Sequence, residues 1–317
     1  MLYRLPGMLF LLMAFTLIST AQDGKIIEQI LYTVADSTVQ KLRKSDTTID
    51  QIVQTVKFYR ITYLSDGLKV KGYLAVPTTT GKYPCVIFNR GGNREFSAIT
   101  DEGFFRMLGK LAASGYVIVA SQYRGNSGGE GKEEFGGKDL NDVLNLIPLL
   151  SNMSQTDTSR IGMFGWSRGG MMTYLALTKT TTIKAAVVGS GVTDLITSVK
   201  ERPELETPWA QIIPDYATQK TEVLKQRSAI YFADKICKTT PILILQGTAD
   251  WRVSPGQVLD FVNKLYQFKQ PFRFILYEGG QHSLAEHRND YYAQLISWFN
   301  TYLRDRKKWP DIEPHGD

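Results

Sequence analysis

Gly165-Trp166-Ser167-Arg168-Gly169 lies between two recognisable runs. Upstream, Arg160-Ile161-Gly162-Met163-Phe164 is apolar and strand-like; downstream, Gly170-Met171-Met172-Thr173-Tyr174-Leu175-Ala176-Leu177 has helical apolar spacing. A G-x-S-x-G set between a strand and a helix is a nucleophile elbow. The turn is so tight that the serine takes strained backbone angles, and only residues without side chains fit beside it. Ser167 is therefore the candidate nucleophile, its hydroxyl held above a sheet where a base can reach it.

The chain has three histidines. His315 lies in the polar tail from Trp309 to Asp317, and His287 falls at the start of the last expected helix, where a structural or surface role is expected. His282 ends the glycine-rich loop Glu278-Gly279-Gly280-Gln281-His282, directly after the strand-like run Phe272–Tyr277. It is the candidate base. The orienter follows from the same reasoning. Pro241-Ile242-Leu243-Ile244-Leu245 is a continuous apolar run of the kind a buried parallel strand shows. Asp250 sits in the loop leaving it, where a carboxylate can accept the imidazole N–H and fix the tautomer. Ser254, followed by Pro255, is better placed than Asp250 to cap the next helix. The chain order Ser167, Asp250, His282 is that of α/β-hydrolases.

These motifs resemble the catalytic domain of the prolyl oligopeptidase family of serine peptidases and its esterase-like relatives. The similarity runs from about Tyr59 to Leu303. It is carried by G-W-S-x-G-G at 165–170, G-x-x-D-x-x-V from Gly247 to Val253, G-G-x-H ending at His282, and the loop Tyr123-Arg124-Gly125-Asn126-Ser127-Gly128-Gly129-Glu130-Gly131. Two positions depart from the pattern: Gln246 stands where the family often has histidine, and Phe88-Asn89-Arg90-Gly91-Gly92 replaces a tyrosine-bearing oxyanion stretch.

The implied reaction is acyl transfer to water through an acyl-enzyme. The tetrahedral oxygen needs fixed donors. The backbone N–H of Arg168 is expected to supply one and Gly91 or Gly92 the other. Arg90 is expected either to assist by charge or, with more weight, to pair with a carboxylate. Residues 195–236 interrupt the alternation and carry Trp209 and Tyr216; a small helical cap is expected there, its aromatics packing either on substrate or on one another. Arg90, Trp166, Trp209 and Tyr216 are the candidate pocket residues.

Residues 1–21 read as an export signal: Arg4, an apolar core from Met8 to Ile18, then Ser19-Thr20-Ala21. Export to the periplasm or medium is expected, with no stable membrane insertion once the signal is cleaved. The remainder, 22–317, reads as one domain. It leaves no length for the β-propeller that screens substrates in the larger peptidases, so small esters are the expected substrates. Short peptides are the alternative, and an idle binding protein with the same fold is a second.

The fold class expected is α/β, a mostly parallel sheet with helices on both faces. Strands are expected near 83–88, 116–121, 160–164, 184–189, 241–246 and 272–277. Helices are expected near 100–114, 137–151, 169–179, 256–268 and 288–304. Val56–Leu64 and Leu68–Val76, joined by Ser65-Asp66-Gly67, read as a hairpin at the sheet's edge. Lys25–Asp50 reads as a peripheral helix. The net charge of +6 is dispersed apart from Arg304-Asp305-Arg306-Lys307-Lys308, which excludes a dense nucleic-acid stripe. Glycines 125, 128, 129 and 131 do not form a dinucleotide fingerprint, so no cofactor is expected. No metal site is expected either, since Cys85 and Cys237 lack metal-ligand spacing and read as free, mostly buried thiols.

Overall fold

The continuous apolar runs form the middle of one nine-stranded sheet. Its strands are β1 (Ile26–Tyr32), β2 (Val56–Ser65), β3 (Leu68–Pro77), β4 (Tyr83–Asn89), β5 (Val117–Ser121), β6 (Thr156–Trp166), β7 (Ile183–Gly189), β8 (Ile242–Gly247) and β9 (Phe272–Tyr277). Across the sheet they run β1-β2-β3-β5-β4-β6-β7-β8-β9. The first four of these pair antiparallel, and every pair from β5 to β9 is parallel. The computed structural model describes residues 22–44 and 46–316. The expected export signal, 1–21, lies outside them.

A strand buried on both faces sends alternate side chains into two cores. Ile242 and Ile244 of β8 enter one core with the helices Arg168–Leu177 and Pro255–Gln267. Leu243 and Leu245 enter the other with Asp101–Ala113 and Arg288–Phe299. Helices on both faces are thereby fixed by the strand pattern itself.

Four expectations need correction. Lys25–Asp50 is not one helix: Ile26–Tyr32 forms β1, followed by the short helices Asp36–Arg43 and Ile49–Thr55. The β-branched isoleucines that suggested a helical stripe are better strand formers, and β1 pairs with β2. Because β1 covers it, the β2–β3 hairpin is not the edge. Its turn does match the signal, with φ of 51° at Asp66 and 77° at Gly67. The helix expected at 137–151 is broken into Leu140–Leu144 and Leu146–Ser151. Pro148 has no N–H to return to the Leu144 carbonyl. Finally, both cysteines are free, but only Cys85 is buried; Cys237 is half-exposed.

Candidate active site

The elbow is built as a close approach of backbones. Ser167 directly follows β6 with φ 57° and ψ −122°, and the helix Arg168–Leu177 starts at the next residue. A Cβ on Gly169 would lie 1.9 Å from the carbonyl oxygen of Asn89 on β4, so no other residue fits there. The Ser167 N–H donates to the Gly189 carbonyl at 2.9 Å, pinning the turn to β7.

Asp250 and His282 leave the neighbouring parallel strands β8 and β9. Their loops touch where Gly247 faces Gly280: a Cβ on Gly247 would sit 2.0 Å from the Gly280 carbonyl oxygen, and the Ala249 N–H donates to that carbonyl at 3.0 Å. His282 Nδ1 lies 2.9 Å from Asp250 Oδ2 and 3.1 Å from Oδ1. With Nδ1 donating, Nε2 carries the lone pair. Asp250 Oδ1 also accepts the N–H groups of Arg252 and Val253 at 2.9 and 3.0 Å. Burial disfavours the Asp250 carboxylate, but the His282 hydrogen bond and those N–H groups outweigh it and hold the carboxyl below its ordinary pKa. Gln246 donates through Nε2 to Asp250 Oδ2 at 3.2 Å and to the Val253 carbonyl at 3.0 Å, so the residue departing from the family pattern helps to seat the acid. Ser254 sits at the cap position of Pro255–Gln267, but its hydroxyl donates to Glu201 instead.

Trp166 links the two halves, its indole N–H donating to the His282 carbonyl at 2.9 Å. Ser167 and His282 line one cavity of about 430 Å³ and make no hydrogen bond with each other among the described residues. Such bonds are often long until substrate binds. His287 is elsewhere: its ring packs on Tyr277 and Nε2 meets the Glu278 carbonyl. His315 meets the Glu313 carbonyl of its own tail through Nδ1.

The Arg168 N–H opens its helix and has no carbonyl behind it. Gly91 lies against the serine, where an added Cβ would sit 3.3 Å from Ser167 Cβ. The N–H groups of Gly91 and Gly92 donate to no backbone or side-chain acceptor among the described residues. Gly92, with φ 66°, turns its carbonyl onto the Arg168 guanidinium, which donates to it at 2.9 Å.

That guanidinium is buried, stacked on Tyr123 and Phe135, and also donates to Glu133 at 2.7 Å and Asp139 at 2.5 Å. The other Glu133 oxygen accepts the Arg94 N–H and the Asn126 amide. Glu133, which no spacing in the sequence singles out, thus ties three loops together. Arg90 contradicts its expected pairing. It is 1% exposed and, among the described residues, donates only to the carbonyls of Gln122, Gly91, Phe96 and Arg94. Burial, with the nearby Arg168 charge, lowers it to about 10, so it stays protonated at neutral pH. It braces the loop although it touches the cavity.

Residues 195–236 form short helices between β7 and β8, including Leu195–Glu201, Glu206–Ile212 and Tyr216–Lys225. Trp209 and Trp166 line the cavity, with Trp209 packed on Phe135. Tyr216 does not: it is buried in the main core with its hydroxyl unpartnered. The left-handed Asp215 (φ 59°) separates the helix that carries Trp209 from the one that begins at Tyr216. Tyr216→Phe removes an orphaned buried hydroxyl, so stability is expected to rise by about 1 kcal/mol with kcat/KM unchanged. A loss of activity beyond threefold would return that hydroxyl to the site.

The prolyl oligopeptidase family model matches residues 104–306, well over half of the chain. The chain belongs to the prolyl oligopeptidase family. It is 32% identical over 247 residues to an uncharacterized peptidase, YtmA, of Bacillus subtilis, covering 77% of this chain and 94% of that protein. Pyrococcus horikoshii acylaminoacyl peptidase superposes with a TM-score of 0.65 at 22% identity, over 90% of this chain and 46% of that one. Acetyl xylan esterase 1 from Thermoanaerobacterium gives 0.58 at 17% identity, over 78% and 84%. These two likenesses establish the α/β-hydrolase fold. The chain spans under half of the acylaminoacyl peptidase and nearly all of YtmA. As a member of the prolyl oligopeptidase family, the chain is a serine hydrolase of serine peptidase type.

Proposed function

We propose that this prolyl oligopeptidase family member is a serine peptidase that cleaves short peptides through an acyl-enzyme. The observation carrying this is the His282–Asp250 contact at 2.9 Å beside Ser167 in a chain of this family. Family membership favours peptides over the esters that the sequence alone suggested. In the proposed cycle His282 Nε2 takes the Ser167 proton as Oγ attacks the carbonyl, and Asp250 stabilises the imidazolium. The N–H of Arg168, with that of Gly91 or Gly92, meets the tetrahedral oxygen. His282 then gives its proton to the leaving amine, and water, deprotonated by His282, releases the acid and restores Ser167. Export through the 1–21 leader belongs to the same proposal, with Gln22 expected as the first residue of the processed protein by N-terminal sequencing.

The deciding measurement is kcat/KM for a blocked peptide anilide beside a butyryl aryl ester, each divided by its own uncatalysed rate. The anilide is expected to show the larger enhancement. A larger enhancement for the ester would reverse the assignment.

A further inference from the structure

A second cavity, of about 1070 Å³, adjoins the one that holds Ser167 and His282. Gly103, Met107, Trp166 and Ser283 line both. Such a volume lies at the upper end for ligand sites, about 1,000 Å³. Trp166 is fixed where the two meet, because its indole N–H donates to the His282 carbonyl. The second cavity therefore begins one residue past the base.

Its charges are unevenly engaged. Asp46, Glu286 and Asp290 line it, and each already accepts a hydrogen bond: from the Thr48 N–H and hydroxyl, the Gln281 N–H and the Tyr277 hydroxyl respectively. Arg106, Lys110 and Arg288 line it too. Among the described residues the Arg106 guanidinium meets only Glu102, in an exposed pair at 3.5 Å. The Lys110 ammonium and the Arg288 guanidinium have no hydrogen bond or ion pair among the described residues. Arg106 and Lys110 stand one turn apart on the helix Asp101–Ala113, and Arg288 opens the helix Arg288–Phe299. The Tyr292 hydroxyl donates to the Met107 carbonyl at 2.6 Å and ties those two helices together. Three cations thus surround one space, and two of them lack an anion.

We propose that this second cavity receives the leaving half of a short peptide and binds its C-terminal carboxylate. Proton transfer sets the side: His282 gives its proton to the leaving amine, so the leaving chain lies past His282 and Ser283. Trp166 and Tyr291 offer its side chains an aromatic wall, and its terminal carboxylate meets Lys110 and Arg288. A peptide that ends inside the cavity gains this contact and a longer one does not, which selects for length. The inference rests on the serine peptidase reading for its substrate, and an acyl-transfer arm keeps it testable without that reading.

The experiment compares blocked peptides that share one acyl half and end, two residues past the cleaved bond, in a free carboxylate or in an amide. A second arm forms the acyl-enzyme from the butyryl aryl ester and lets alanyl-phenylalanine or its amide compete with water for it. There the dipeptide amine attacks the acyl carbonyl, and His282 takes its proton and returns it to the departing Ser167 Oγ. The acid is expected to exceed the amide about tenfold, in kcat/KM and in capture relative to hydrolysis, equivalent to about 1.4 kcal/mol. In the double variant Lys110→Gln with Arg288→Gln both ratios fall toward one. Lys110→Arg with Arg288→Lys, which keeps both charges, retains most of them. Each ratio compares two compounds on one protein, so a general loss of folding cancels. Raising salt from about 50 to about 500 mM also shrinks the wild-type ratios. Acid and amide treated alike by the wild type, or a preference that survives in the glutamine double variant, would overturn the proposal. If no peptide is cleaved but the acid dipeptide is captured preferentially, the peptide reading fails and the carboxylate site stands.

Discussion

Ser167→Ala is expected to lower kcat/KM by about four to six orders of magnitude, with the melting temperature unchanged. His282→Ala should cost the same, because serine and base act as one unit and losing either leaves only binding and the oxyanion donors. Alanine keeps the Cβ that the elbow already accommodates, so the loss is chemical. Asp250→Ala should cost about a hundredfold less than either, since an unoriented imidazole still accepts a proton. His287→Ala serves as the control. Its ring packs on Tyr277 outside the cavity that holds Ser167, so it should lose some stability and little activity. A greater loss of kcat/KM in His287→Ala than in His282→Ala would move the base to the other histidine.

Ser167, Asp250 and His282 were legible in the sequence for one physical reason. Each follows a parallel strand, and parallel strands deliver their C-terminal loops to one edge; β6 and β8 carry buried apolar runs, whereas β9, only partly buried and interrupted by Arg273, is marked by the glycine-rich loop that follows it. β1 was not legible. An edge strand that exposes Ile27, Ile30 and Leu31 has no clean alternation, and its isoleucines fall by chance at helical spacing. The side-chain partners around the site were hidden for another reason. Nothing in the spacing of Glu133, Asp139 and Arg168 brings them together; β6 and the Tyr123–Gly131 loop do so only once the sheet forms. Arg90 looked like a carboxylate partner because the sequence shows charges, whereas the fold supplied carbonyls.

The Arg168 cluster yields the second large effect. Arg168→Met removes the cation shared by two buried carboxylates and releases the Gly92 carbonyl. Leaving buried charge without its partner costs about 3–5 kcal/mol. Freeing the loop that carries a proposed oxyanion donor should lower kcat by about 10²-fold, with KM much less affected. Glu133→Gln keeps the shape and the Arg168–Asp139 pair, so its losses should be smaller on both counts. The pH dependence separates this account from a simple packing defect. Burial already pushes the Asp139 carboxyl above its ordinary pKa, against the Arg168 charge beside it. A carboxyl raised in the folded state takes up its proton more readily than in the unfolded chain. The stability this contributes is therefore present at acid pH and is lost as pH rises through the raised value. Without Arg168 that value rises further, so the deficit of Arg168→Met relative to the parent should be largest near pH 8 and narrow toward pH 5. Thermal melts of both proteins across that range test it. A deficit constant with pH would mean that methionine fails only by packing, and the carboxylates under the elbow would lose their electrostatic role.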